Sequence, residues 1–196
     1  MADKDYVVWQ FEDVPHSFVL DRLERVEKVF ELIEGIPRAA SFPKDAKFSV
    51  DPDFPNDIGL IDVFDNTYHL TVISEKLKDF IVGLSPAAVE FLPITLLNHK
   101  SRPAGKYFIL HPIDPVDALD IDKSEVTWDL ADDTVVDGIK RIALKKSALD
   151  YDRLLFKLKY FYDHILIRRD LAERIRKEGF TGFRYVECAD FSRGGI

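Results

Sequence analysis

Four aspartates, Asp114, Asp117, Asp120 and Asp122, fall within nine residues of one another. On a strand, alternate side chains share a face, so Asp120 and Asp122 could hold a hard cation between their carboxylate oxygens and support metal-dependent hydrolysis. The segment lacks the Asp-x-Asp-x-Asp-Gly loop of a calcium hand. It is instead part of a wider acidic run that includes Asp129, Asp132 and Asp133: residues 111 to 139 carry nine carboxylates and a single lysine, Lys123. Such a field repels nucleic acid and attracts a basic protein surface, chiefly by speeding association. The simpler competing reading is a solvated acidic loop or sheet edge.

The other reactive residue types form no constellation. His16, His69, His99, His111 and His164 show no metal-ligand spacing, and no His-Glu-x-x-His or Cys-x-x-Cys pattern occurs. His69 and His164 are expected at corresponding strand starts, where a backbone partner explains them better than catalysis. Cys188, flanked by Val186, Glu187 and Ala189, has no nucleophile elbow or Gly-rich surround and reads as a small core residue. No Gly-x-Gly-x-x-Gly or Walker sequence is present, and no helix is expected after Arg193-Gly-Gly-Ile196. Neither a metal nor another cofactor is implied, and the chain reads as a non-enzyme.

The elements that must position these residues include two similar segments about ninety-five residues apart, Tyr68 to Ile94 and Tyr162 to Glu187. Each predicts a short apolar strand, a capped helix and a second strand. In the first, Ser74 caps a helix whose Leu77, Phe80, Ile81 and Leu84 form one stripe, with Gly83 near its end. In the second, Asp170 and Glu173 form a capping-box pair, Leu171 and Ile175 face inward, and Gly179 stops the helix in a left-handed conformation. Duplication and two uses of one common unit both fit.

Length and composition place these segments in an ordinary core-forming protein. The 196 residues are 46% hydrophobic with 15 Phe, enough for one domain, 1–196, or two packed lobes of about 1–100 and 101–196. No run approaches the roughly 18 apolar residues of a membrane span, and the N-terminus Met-Ala-Asp-Lys-Asp lacks a secretory signal, so a cytoplasmic protein is expected. The lone cysteine fits a reducing compartment. The formal charge of -8 is unevenly distributed: residues 1 to 139 have 13 Lys and Arg against 27 Asp and Glu, and residues 140 to 196 have 14 against 8.

Along the chain, Tyr6 to Glu12 alternates like a strand. Asp21 and Glu24 make a capping-box pair for a helix running to Glu34, with Leu23, Val26, Phe30 and Ile33 as its stripe and Gly35 and Pro37 as its stop. Residues 36 to 58, with four prolines, predict a loop and at most a short strand near Phe48. Leu60 to Phe64 and His69 to Ile73 predict a hairpin around Asp65-Asn66. Further strands are expected at Tyr107 to His111, Ala118 to Asp122, Val126 to Leu130, Ile139 to Leu144 and Leu154 to Leu158. The sum is α+β, a mostly antiparallel sheet with about three helices.

The order of these pieces resembles a bacterial immunity-protein family of polymorphic toxin systems, immunity protein family eleven, formerly a domain of unknown function. The matching stretches are Val72-Ile-Ser-Glu-Lys-Leu77, Val89-Glu-Phe-Leu-Pro93, the run Tyr107 to Ser124, Ile165-Leu-Ile167 and Gly179-Phe-Thr-Gly-Phe-Arg184. They span about residues 57 to 187 and leave the first 50 outside, with the helix from Asp21 as a feature of this branch. The resemblance implies a protein that binds a cognate toxin domain and blocks it without chemistry of its own. No catalytic residues come with it. The acidic residues Asp114, Asp117, Asp120, Asp122, Asp129, Asp132 and Asp133 are then the candidate toxin contacts, facing a partner with a basic surface.

Overall fold

The structure is a computed structural model that describes residues 5–193; the readings made on Met1 to Lys4 and on Gly194 to Ile196 lie outside the described residues. Among the described residues, twelve strands form three sheets. The largest has the order β2 (Leu20–Glu24), β3 (Lys47–Val50), β6 (Val89–Leu97), β7 (Pro103–Pro112), β5 (Val72–Ser74), β4 (Val63–Phe64). The second has the order β10 (Leu155–Leu158), β11 (Phe161–Arg168), β1 (Tyr6–Phe11), β12 (Phe183–Glu187), and the third is the pair β8 (Val126–Trp128) and β9 (Val136–Ile139). All pairs of named strands are antiparallel except β3 with β6. The four α-helices of the described residues are α1 (Val29–Ile33), α2 (Glu75–Val82), α3 (Ile121–Ser124) and α4 (Arg169–Lys177). The architecture is therefore α+β, with mixed but mainly antiparallel sheets.

Alternation along the strands sorts the core into layers. In β1, Val7 and Trp9 enter one cluster while Tyr6 and Val8 enter another, so this strand is buried on both faces. The cluster holding Val7 and Trp9 also takes Ile165 and Ile167 from β11 and Ile73 and Leu110 from the six-stranded sheet. Leu77 and Ile81 of α2 and Leu171 and Ile175 of α4 fill the same layer, each essentially without exposure. Beyond β5 and β7, Val72 and Ile109 face a third cluster with Phe48, Leu32 and Leu96.

Helix ends explain why α2 and α4 stop and start where they do. The Ser74 hydroxyl accepts from the Leu77 N–H at 3.2 Å and donates to Asp62 at 2.8 Å. Asp62 in turn accepts from the Thr181 N–H at 3.0 Å, just ahead of β12, so one carboxylate joins the α2 cap to the other sheet. Next to it, Gly182 has φ +89°, and a β-carbon there would lie 2.1 Å from the Val63 carbonyl oxygen. In α4 the cap position is Arg168, and Asp170 is already inside the first turn; the expected Asp170/Glu173 capping box does not form, and Asp170 pairs with Arg168 instead. Gly179 ends the helix with φ +76°.

The helix expected from Asp21 to Glu34 is replaced by β2, a left-handed break at Arg25 and Lys28, and the five-residue α1. Leu20 and Leu23 point inward from β2, which pairs with β3 from Leu20↔Val50 to Glu24↔Lys47. Phe30, expected in the buried stripe, is 54% exposed, whereas Leu32 is fully buried. Strand pairing supplied by residues about 25 positions away has overridden a local three-four pattern. The strand expected at Ile139 to Leu144 is likewise shifted, ending at Ile139 as part of β9.

Candidate functional site

The acidic segment leaves β7 and wraps over the four-stranded sheet. Asp114 follows a turn in which its own φ is +54°; its N–H donates to the Gly35 carbonyl at 3.1 Å, and its carbonyl accepts from Arg153 at 2.7 Å. Only an isolated bridge, Leu119 with Leu144, represents the strand expected at Ala118 to Asp122. Asp120 is the cap of α3, accepting from the Lys123 N–H at 3.3 Å, and Asp122 lies within that helix. The shared strand face that would have aligned these two carboxylates for a cation is absent. Among the described residues, no group of three or more His, Cys, Asp or Glu side chains could hold a metal ion.

Several candidate carboxylates are engaged by bases of the same chain. Asp120 binds the Lys123 ammonium at 2.6 Å, which holds its carboxyl below the usual range. Asp117 lies 3.1 Å from Lys145, and Glu125 pairs with Lys140 at 2.7 Å and Arg141 at 3.4 Å. The acidic run and the basic stretch after it, opposed in sequence, are thus partly folded onto one another. Exposed pairs of this kind contribute little to stability, but they lower the local net field.

The connection between β8 and β9 is different. Asp129 accepts from the N–H groups of Ala131 and Asp132 at 2.7 and 3.0 Å, and Asp132 accepts from the Thr134 N–H and hydroxyl at 2.9 and 2.6 Å. These bonds build two successive turns. The Thr134 bonds keep the Asp132 carboxyl below its usual range. At the tip stands Leu130 with a relative exposure of 105%, while Trp128 at the base packs edge-on against Tyr160. Asp133 is exposed beside it. Five consecutive residues therefore present one bare leucine among three aspartates.

The remaining singled-out residues are dispersed. His69 is exposed in the hairpin turn between β4 and β5, with φ +55°, and does not start a strand. His164 lies inside β11 against Phe161 and Phe191, with ring centroids 5.2 and 4.8 Å away; burial pushes its pKa down to about 4. His111 is buried and donates from Nε2 to the Ile36 carbonyl at 2.8 Å. Cys188 is fully buried and its thiol donates to the Tyr6 carbonyl at 3.4 Å. Two features had no sequence signal: the buried Lys157, whose neighbours in the sequence form an ordinary strand, and the half-buried Arg38, which ion-pairs with Glu31 at 2.6 Å.

The described residues form an α+β protein in which several acids pair with bases of the same chain. The chain belongs to the immunity protein family Imm11, whose model matches residues 9–190. Membership implies a toxin-neutralising immunity function with a cognate toxin as partner. The match starts within β1, so residues 9 to 50, read from sequence as outside the family, are part of it. No curated protein matches the chain. No helix of the described residues is long and apolar enough to cross a membrane.

Proposed function

We propose that this protein neutralises a bacterial polymorphic toxin in the cytoplasm by stoichiometric, non-catalytic binding, and that the acidic segment and its hairpin form the contact surface. The observation that carries the surface assignment is Leu130, fully bare at the hairpin tip between Asp129 and the pair Asp132 and Asp133. An isolated apolar side chain in an acidic ring suits a basic partner surface with an apolar recess, the ring steering encounter and the leucine slowing release. Asp114 and Asp122 are exposed on the same segment and extend the field, whereas Asp117 and Asp120 contribute less because Lys145 and Lys123 occupy them.

We read residues 1–196 as one domain. In support, β1 lies between β11 and β12, β7 lies in the sheet built mainly from the first hundred residues, and one core layer draws on both sheets. The two similar segments are read as two uses of one unit. In each, the strands before and after the helix are separated in the sheet by one intervening strand, β7 or β1.

The test is co-expression with the toxic C-terminal domain encoded beside the gene, followed by co-purification. Rescue of growth with a stable complex supports the proposal. Rescue with the toxin recovered modified or cleaved, and no complex, would show an enzymatic mode instead.

A further inference from the structure

A second surface of the molecule combines a cavity, unneutralised carboxylates and exposed apolar side chains. Between the end of β1 and the start of β4 lies a cavity of about 270 Å³, walled by Phe11, Phe18, Leu20 and Phe64. Asp13 and Asp65 stand at its rim, both exposed. No hydrogen bond or ion pair to a base is present at either among the described residues; Asp65 accepts only from the Asn66 N–H, at 2.7 Å. This contrasts with Asp117, Asp120, Asp163 and Asp170, each of which holds a lysine or arginine of its own chain. Glu12 lines both this cavity and a neighbouring depression that carries Arg176 and Arg184, whereas Asp13 and Asp65 line this cavity.

Desolvation raises the pKa of Asp65, with the Asn66 N–H and His69 opposing and the Asp13 charge adding to the rise. Two like charges at the rim of an apolar recess create a demand for a positive group. The surroundings are apolar as well. Gly59 bonds the wall segment through the Phe18 N–H at 2.9 Å and the His16 carbonyl at 2.7 Å, and its neighbours Ile58 and Leu60 are 67% and 51% exposed.

We propose that this cavity receives an arginine side chain of the toxin, with Asp13 and Asp65 as its carboxylate partners and Ile58 and Leu60 as the apolar contacts around it. Arginine fits better than lysine because a planar, weakly hydrated guanidinium stacks on aromatic walls and bridges two carboxylates, whereas an ammonium would have to shed tightly held water. An arginine anchor ringed by apolar contacts is a common arrangement for concentrating binding energy. The proposal rests on the toxin-binding reading above, and its test separates the two.

Isotope-labelled protein is titrated with N-acetyl-arginine methylamide and, separately, with the lysine and citrulline counterparts, while the resonances of Leu20, Ile61 and Val63 are followed. Saturable shifts with arginine are expected, weaker ones with lysine and none with neutral citrulline. Asp13→Asn with Asp65→Asn, a change that keeps the Asn66 contact, should weaken the arginine response at least about tenfold. No saturable shift at tens of millimolar, or an equal response to citrulline, overturns the proposal. In the second arm the adjacent toxin is bound by parent and double variant, both checked for an unchanged melting temperature. A parent that binds with a variant weakened about tenfold or more supports the assignment, and equal binding overturns it. Failure of the parent to bind counts against the toxin-binding reading alone, since the titration judges the pocket without the toxin.

Discussion

The Lys157 ammonium lies 2.8 Å from the Ile33 carbonyl and 3.1 Å from that of Leu32, so a side chain of β10 satisfies the C-terminal end of α1 across the boundary between the two large sheets. Lys157 is only 5% exposed, and burial pulls its pKa down to about 8 from 10.5. The unfolded chain therefore binds this proton more tightly than the folded one between those values. Stability should rise with pH from about 8 toward 10.5 and be lost as pH falls through 8. Urea unfolding between pH 7 and 9.5 reads this slope below the usual tyrosine range. Lys157→Met should flatten it; a parent slope of zero would show that the ammonium is stabilised where it sits.

Leu77 and Ile175 are both fully buried in the layer shared by the two sheets. Leu77→Ala or Ile175→Ala should each cost about 2 to 5 kcal/mol through the cavity left behind. Denaturant midpoints report this directly, and protection from the toxin should decline only to the extent that folding does.

Acid should weaken the protein through His111 and His164, whose pKa values burial lowers, that of His164 to about 4. His164 stays neutral in the folded state while the unfolded chain takes up a proton near 6.5, so its stability is present above 6.5 and is lost as pH falls toward 4, and His111 acts in the same direction. His164→Phe, filling the space between Phe161 and Phe191 without a titrating group, should reduce that loss. Its ability to neutralise the toxin at neutral pH should match the parent, as should that of Cys188→Ser wherever the variant folds. A folded variant without protection would place chemistry at these residues.

At the hairpin tip, Asp129, Asp132 and Asp133 changed together to Asn should slow association with the toxin, most at low salt. Exposed charges act through a field screened beyond about 8 to 10 Å at ordinary ionic strength. Asn preserves the acceptor oxygens that build the two turns, so the hairpin should persist. Leu130→Ala should leave the association rate nearly unchanged and speed dissociation. Stopped-flow and surface binding at two salt concentrations distinguish the cases; unchanged rates for both variants would remove the hairpin from the interface.

Local chemistry was readable where a residue type leaves little choice. Ser74 caps α2 from its position before an apolar stripe, Gly179 takes the left-handed conformation after α4, and Asp65-Asn66 turns the chain between β4 and β5. Long-range pairing was not readable. Asp21 and Glu24 have the spacing of a capping box, yet β3 draws Leu20 to Glu24 into a sheet. Asp120 and Asp122 alternate as on a strand, yet α3 begins between them. The acidic run was evident from composition, but its partial neutralisation by Lys140, Arg141 and Lys145 depends on how the segment wraps. The cavity at Asp13 and Asp65 joins residues from β1, β2 and β4 and the loops beside them, and leaves no mark in any one stretch alone.

Both neighbours of β1 are strands made late, β11 from residue 161 and β12 from residue 183. During synthesis the strand Tyr6–Phe11, buried on both faces, has no hydrogen-bonding partner in its sheet until β11 has left the ribosome. Non-local pairing of this kind is slow and leaves sticky backbone exposed while it waits. Completion of the four-stranded sheet therefore waits for β11 and β12 to be made. A cell whose toxin folds sooner would need immunity protein already in store.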